Sequence, residues 1–353
     1  MLKNVMILLV SLILLDPSFN LLWQRLEDFV GMPQTGQQFV QLPTQSEVKK
    51  ASEPQLALKW SIPTLPGGKA SATEIAEVER KVVELINQDR AAAGLSAVVW
   101  DEIAAKAARA HVQEEADVGY ISHWGLDGMK PQERYTLAGG RDAVDENESV
   151  SLWLEGGFKG ISKDNLYTLV AEHQKAMVNE KPPDDGHRKN ILDPHHTGVG
   201  IAIAIGKNGI AMAQEFTNHG ALLNPPPTKA APGGMVRLSG QIQKGYRVTG
   251  IYAIWEEAPK PLSREELLKT HSYSDPPFSN LHFWAKPRAS GYYIPTTSGN
   301  VFAKNVTVDA QGKFTLEIPL ASRVGLDYIN LEIAPDANAE ERFYVGQFVV
   351  RIE

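Results

Sequence analysis

The sequence predicts an α+β protein in which a part rich in helices is followed by a part built from strands. Three observations lead to this prediction. Helical periodicity dominates from Ser71 to Asn179, two apolar strand patterns lie between Val199 and Phe216, and alternating strand patterns recur from Val236 to the end of the chain. Because the helices precede the strands, the pattern favours a mixed architecture over a regular βαβ alternation.

Length and composition exclude several classes of protein. The 353 residues are enough for about two domains, and 43% hydrophobic with 22% charged residues is typical of globular chains. A formal net charge of −7 argues against nucleic acid as a partner. The chain has no cysteine, which excludes disulfides, iron-sulfur clusters and thiol nucleophiles. Any metal must therefore be bound by His, Asp or Glu.

The N-terminus has the pattern of an export signal. Lys3 precedes an apolar run from Val5 to Leu15, which is too short for an ordinary membrane span. No small-residue cleavage site follows, so residues 1–22 are predicted to be a signal peptide or a retained N-terminal membrane anchor, with a buried helix as the alternative. Residues 23–70, rich in Gln, Pro, Ser and Thr, are predicted to be a linker. We therefore expect a secreted or cell-envelope protein.

Four helices are predicted in the first folded part. Ser71 and Glu74 form a capping box that opens a helix, and Gly94 ends it. An alanine-rich helix follows from Asp101 to Gly119. The other two predicted helices run from Pro131 to Leu137 and from Leu166 to Asn179.

A β-hairpin is predicted to close this part. Its strands, 199–205 and 210–216, flank an Asn208-Gly209 turn signal. The first strand alternates large apolar residues with Gly and Ala, so neither of its faces is polar. A strand of this kind is normally covered on both sides, which predicts a sheet between two helical layers.

The remaining sequence is predicted to be a second domain. Residues 222–234 contain a triple proline and a Pro-Gly-Gly sequence, which indicates a linker between domains 71–221 and 235–353. Strand patterns dominate after it, and the clear helix is opened by a Ser263–Glu266 capping box. We expect a β-sandwich of immunoglobulin-like or transthyretin-like type.

Short motifs in the first part occur in a characteristic order. They are Asn87, Arg90, Gly94-Leu95, Trp100-Asp101, Ala108-Arg109, Ile121-Ser122-His123, Asp127-Gly128, Glu146-Asn147, Gly186-His187-Arg188 with Asn190-Ile191-Leu192, and Gly198-Val199-Gly200. From Thr73 to Asn218 this order resembles that of bacterial CAP domains, the cysteine-rich secretory protein, antigen 5 and pathogenesis-related superfamily, also called SCP-like. The resemblance implies a CAP-type α-β-α sandwich, secretion, and a central cleft with two histidines and two glutamates.

The resemblance assigns these four cleft residues by motif. They are His123, Glu146, Glu180 and His187. The sequence departs from the family pattern at Met177, where the family usually has Trp, and at Asp145, where it usually has Gly. Glu172 lies on the same predicted helix as Glu180 and is its rival for the second carboxylate position.

Three chemistries remain open for the four residues. Two imidazoles and two carboxylates suit Zn²⁺ or another divalent cation, a His–Glu pair suits acid–base work, and four mutual hydrogen bonds would simply tie loops together. The chain lacks His-Glu-x-x-His, the local motif of many metallopeptidases. We expect an exported protein that binds a small-molecule, lipid or envelope ligand, or a metal, in this cleft. The alternative is a metal-dependent, peptidase-like hydrolase.

Overall fold

The computed structural model describes residues 7–8, 68–153, 158–224, 226–270, 272–273, 282–283, 307–338 and 340–353. The predicted signal or anchor, 1–22, lies outside these residues apart from 7–8, and so does the predicted linker apart from 68–70. Within the described ranges, a search for helices with the length and hydropathy of a membrane span finds none. The described residues belong to one compact unit.

The first part contains five helices and five strands among the described residues. The helices are α1 (Ala72–Ala92), α2 (Glu102–Val118), α3 (Pro131–Ala138), α4 (Lys163–Val178) and α5 (Gly186–Ile191). The strands are β1 (Ile7–Leu8), β2 (Val99–Trp100), β3 (Ala143–Trp153), β4 (Gly198–Ile205) and β5 (Gly209–Asn218). The predicted capping box of Ser71 and Glu74 opens α1, and Gly119 ends α2 in a left-handed conformation.

These elements form an α-β-α sandwich, as predicted. The sheet has the strand order β1-β3-β5-β4-β2, and β3, β5 and β4 pair antiparallel. Helix α2 packs on β4 and β5, whereas α1 packs on β4 and α4 in the other layer. The fold class is therefore α+β, with the sheet between two helical layers.

Strand β4 explains why both faces of the sheet are covered. Its larger side chains, among them Ile201 and Ile203, join the core formed with α1 and α4. The small residues face α2, where Ala202 belongs to the core beneath that helix. At Gly200 the helix is so close that an added Cβ would lie 2.0 Å from the backbone nitrogen of Ala105. The small residues of β4 thus allow α2 to approach the sheet closely, whereas its large residues fill the space below α1 and α4.

Two elements that carry predicted site residues were not predicted themselves. Strand β3 contains Glu146, and the short helix α5 contains His187. The sequence Asp145-Glu146-Asn147-Glu148 lacks the apolar alternation of a strand, because the residues that face the cores here are themselves polar. Helix α5 is only six residues long, too short for a periodic signal.

The second part is a sandwich of two sheets among its described residues. Its elements are β6 (Ala221–Leu223), β7 (Lys229–Ala230), β8 (Met235–Ile242), β9 (Tyr246–Glu256), α6 (Arg264–Leu267), β10 (His282–Phe283), β11 (Thr307–Val308), β12 (Lys313–Pro319), β13 (Gly325–Pro335) and β14 (Phe343–Ile352). The sheets have the orders β10-β9-β13-β14-β7 and β11-β12-β8-β6. A shared apolar core, including Leu238, Leu316, Leu331 and Phe348, lies between them, as the β-sandwich prediction requires.

Residues 222–234, predicted as a linker, contribute to both sheets of this sandwich. The strand that ends at Leu223 pairs with β8, and the β7 strand pairs parallel with β14. The sandwich also contacts the first part, because the Val349 N–H donates to Thr136 Oγ1 at 3.1 Å and Arg351 forms an ion pair with Glu133 at 2.7 Å. The domain boundaries themselves stay a prediction.

Candidate functional site

The first His–Glu pair of the predicted cleft joins a loop to the edge of the sheet. His123 follows α2, and its Nδ1 lies 2.9 Å from Oε1 of Glu146 on β3. The other oxygen, Oε2, accepts a hydrogen bond from Arg134 of α3 at 2.6 Å. Arg134 also donates to the backbone oxygen of His123 at 2.9 Å, so one guanidinium fixes both members of the pair.

The second pair lies between the end of α4 and the start of α5. His187 Nδ1 is 2.5 Å from Glu180 Oε1, and Glu180 Oε2 accepts the N–H groups of His187 and Arg188 at 3.0 and 3.3 Å. The side chains of His187 and Glu180 are 31% and 18% exposed, against 16% and 0% for His123 and Glu146. Glu172, the rival for this position, is exposed on α4.

Two asparagines connect the two pairs. Asn147, next to Glu146 on β3, donates to the backbone oxygen of His187 at 3.1 Å. Asn190 of α5 donates in turn to Asn147 Oδ1 at 2.9 Å. These hydrogen bonds hold α5 against β3, and they give the Glu-Asn motif a structural function beside the carboxylate.

Arg90 anchors the chain that follows α5. This side chain is fully buried on α1, and it donates to the backbone oxygens of Ser96, Ile191, Asp193 and His196 at 2.8 to 3.1 Å. Three of these carbonyls, those of Ile191, Asp193 and His196, lie between the end of α5 and the start of β4, so the guanidinium fixes the path of this segment. Arg90 therefore has a structural role, because it fixes the segment that follows the helix carrying His187.

Glu146 is a buried carboxylate that stays charged. Burial disfavours its charge, but the neighbouring Arg134 and the His123 hydrogen bond outweigh burial and lower its pKa below the usual range. Its neighbours Glu148 and Glu215 respond in the opposite direction. Burial and the negative charge of Glu146 raise the pKa of both well above that of an ordinary glutamate. A carboxyl group with a lowered pKa and two with raised pKa values thus lie close together on β3 and β5.

Burial also keeps His123 neutral. Its pKa is lowered chiefly by burial, against the attraction of Glu146, and a charge on His187 lowers it further. Within the described part of the chain, the Nε2 atoms of both rings make no hydrogen bond, whereas both Nδ1 atoms contact a carboxylate.

Two groups of three residues in the described part bring potential ligand atoms within 4.8 Å of one another. They are His111 with Glu146 and Glu148, and Asp101 with Asp142 and His219. His111 Nε2 lies 2.7 Å from Glu148 Oε1 and 2.8 Å from the backbone oxygen of Ser122. Because a carbonyl can only accept, this nitrogen carries a proton, and it offers no lone pair to a metal in this arrangement.

The second group is a hydrogen-bonded network at the start of α2. Asp101 caps the helix through the Ile103 and Ala104 N–H groups, and its other oxygen lies 3.0 Å from His219 Nε2. The Thr217 hydroxyl donates to the same oxygen at 3.0 Å. Its polar atoms thus already have protein partners, which is the pattern of a structural network.

Tyr273 contacts the first His–Glu pair, and the sequence did not indicate it. It belongs to the second part, yet its hydroxyl accepts the Glu146 N–H at 3.0 Å, and its ring meets the His123 ring edge-on with centroids 4.7 Å apart. No local motif marks this residue, because it reaches the cleft only through the packing of the two parts.

Comparisons with known proteins find similarity over part of this chain. Residues 83–216 match the model of the CAP family, described as the cysteine-rich secretory protein family. An uncharacterized protein, YkwD, from Bacillus subtilis (strain 168) is 29% identical over 147 residues, which are 42% of this chain and 49% of that protein. The chain thus spans about half the length of this curated relative.

A similar solved structure is that of an extracellular protein containing a SCP domain from Bacillus anthracis str. Ames. It is 22% identical with a TM-score of 0.33, and the match covers 43% of this chain and 45% of that one. The family match falls on the sandwich that contains both His–Glu pairs. The similarity to the CAP family thus covers residues 83–216, which include most of the sandwich.

Proposed function

We propose that the cleft binds a divalent cation, with zinc as the first candidate, through the Nε2 atoms of His123 and His187. The observation that carries the proposal is the pairing of each Nδ1 with a glutamate. Metal-bound histidines characteristically direct their second nitrogen at a carboxylate, which fixes the ring and makes the free nitrogen a better ligand. Both rings of this cleft have that arrangement.

The two glutamates fit the role of orienting groups better than that of ligands. Both oxygens of Glu146 are occupied, by His123 and Arg134, and both oxygens of Glu180 accept hydrogen bonds from α5. A cation held by two imidazoles keeps coordination positions open for water and for an external ligand, since zinc usually has four ligands. The proposed activity is thus the binding of a small-molecule, lipid or envelope ligand at the cation.

Export is part of this proposal. Its support is the sequence of residues 1–22, with Lys3 ahead of a short apolar run. Fractionation of the native organism's cells tests it. The protein is expected in the envelope or the medium, and its recovery from the cytosol with an intact N-terminus would contradict export.

Calorimetric zinc titration near pH 7 tests the cation site. We expect the full chain to bind zinc, and His123→Ala and His187→Ala each to weaken binding at least about tenfold, because each removes one imidazole ligand. Glu172→Gln, on an exposed position of α4, is the matched control and should bind as the wild type does. Affinity should fall as the pH drops, since imidazole ligands must be neutral.

A purely structural pair of His–Glu contacts would give a different result. The wild type would then show no zinc binding, while the alanine variants would lose about 1 to 3 kcal/mol of unfolding free energy through groups left without partners. The alternative of a metal-dependent hydrolase uses the same two histidines. It requires turnover of a peptide or ester substrate that the double variant His123→Ala/His187→Ala abolishes.

A further inference from the structure

A segment of the second part crosses the loop that carries His123. We call residues 257–270 the strap. The Leu262 N–H donates to the backbone oxygen of Leu126 at 2.8 Å, and Arg264 Nε donates to the backbone oxygen of Gly119 at 2.8 Å. These bonds attach the strap to the chain on either side of His123.

Side-chain and backbone packing confirm that this contact is close. Gly128 has a φ of +79°, and a Cβ there would lie 2.3 Å from the backbone oxygen of Lys260. Leu267 of the strap is fully buried. Just before the strap, Glu256 forms an ion pair with Lys130 at 2.8 Å. The strap therefore contacts the first part at several points, although half of its residues are exposed.

The strap leads directly to the first His–Glu pair. Thr270 Oγ1 lies 2.6 Å from Ser122 Oγ, next to His123 in sequence. Three residues later, Tyr273 accepts the Glu146 N–H through its hydroxyl and sets its ring at 68° to that of His123. The Tyr273 contacts fall on the pair with the less exposed side chains, and the Thr270 contact falls on the residue that precedes His123.

We propose that Tyr273 is a positioning residue of the cleft, which holds the His123 ring with Nδ1 on Glu146 and so keeps Nε2 available to a ligand. The ring contact limits rotation of the imidazole, and the hydroxyl satisfies the backbone N–H of the very residue that pairs with it. Edge-on aromatic contacts of this kind contribute orientation as well as burial. The cleft is thus completed by the second part of the chain, through one side chain.

The proposal rests on the proposed function, because the orientation of the His123 ring matters for the cation site. The first measurement does not depend on that function, since it needs no metal. In the metal-free full chain, ¹⁵N NMR of the imidazoles reports which nitrogen of His123 carries the proton, and the wild type should show the Nδ1–H form alone.

Tyr273→Ala should give a mixture of His123 tautomers and weaken zinc binding about tenfold. Tyr273→Phe keeps the ring contact, so it should retain the Nδ1–H form while the Glu146 amide exchanges its hydrogen faster. Tyr167→Phe, on α4, is the matched control and should change neither signal. If Tyr273→Ala destabilises the fold, Tyr273→Leu can be used instead, because it keeps a large side chain but has no aromatic ring. It should show the same mixture of His123 tautomers.

Unchanged His123 tautomers in folded Tyr273→Ala or Tyr273→Leu would overturn the proposal. Absence of zinc binding by the wild type would contradict the proposed function instead, and the tautomer measurement would still decide the role of Tyr273. The two failures are therefore distinguishable.

Discussion

The two His–Glu pairs of the cleft share their chemistry and differ in their surroundings. In each, a histidine Nδ1 meets a glutamate Oε1, at 2.9 Å for His123–Glu146 and 2.5 Å for His187–Glu180. Glu146 is buried on β3 and pairs with Arg134, whose side chain is 9% exposed, whereas Glu180 follows the end of α4 and accepts hydrogen bonds from backbone N–H groups.

Because of this difference, we expect mutations in the two pairs to have different effects on folding stability and on cation binding. A buried carboxylate needs its counter-charge, because removal of one partner leaves an uncompensated charge in the interior. In the partly exposed His187–Glu180 pair, water can replace a lost partner. We therefore expect changes in the first pair to act on folding as well as on binding, and changes in the second pair to act on binding.

The largest effect is expected from Arg134→Met. It leaves the Glu146 charge unmatched and removes the donor to the His123 backbone oxygen. Denaturant unfolding at pH 7 should show a loss of about 3 to 5 kcal/mol. Arg80→Met, which breaks an exposed pair with Glu102, is the control and should cost about 1 kcal/mol or less. Equal effects of the two variants would remove the contrast drawn above.

A histidine buried without a carboxylate sharpens the comparison. His173 contacts the hydroxyls of Ser149 and Ser151, and burial lowers its pKa to about 4. Because the unfolded chain takes up this proton near pH 6.5, stability is present above that pH and is lost as the pH falls toward 4. At pH 5 the loss should be roughly 2 kcal/mol.

The measurement is chemical denaturation at pH 7 and pH 5. His173→Gln keeps a side chain that can pair with the serines but does not titrate, so it should lose less stability than the wild type over this interval. An identical pH slope for both proteins would show that His173 is not held neutral by burial.

For zinc binding, Glu180→Gln should weaken the affinity about 10- to 100-fold, because the residue that orients a metal-bound histidine affects binding almost as a ligand does. The amide can still accept one N–H from α5, so His187 is retained at its position. The measurement is calorimetric titration beside the Glu172→Gln control. Wild-type affinity in Glu180→Gln would argue that the second pair is not part of the cation site.

The smallest effect is the stability cost of the same variant. Thermal or denaturant unfolding of metal-free Glu180→Gln should differ from the wild type by about 0 to 1 kcal/mol, as expected for a partly exposed pair. A loss comparable to that of Arg134→Met would show that both pairs are structural and that exposure does not distinguish them.

Local patterns predicted the elements whose signals are local. The Ser71–Glu74 capping box and the Gly119 stop both lie where the helices begin and end, and the Asn208-Gly209 turn joins the predicted hairpin. The sequence did not reveal β3, because Glu146 and Glu148 are polar residues on a buried face. Their burial depends on Arg134 and His123, which the pattern of one strand cannot show.

The sequence by itself determined the residue types of the cleft, their order along the chain, and the helices and strands with strong periodicity. Only the tertiary structure decided which glutamate meets which histidine, and that Glu180 rather than Glu172 contacts His187. It also brought Tyr273 to Glu146, across 127 positions of sequence. The physical reason is that capping and periodicity act within a few residues, whereas burial, counter-charge and ring contacts arise only when distant elements pack together.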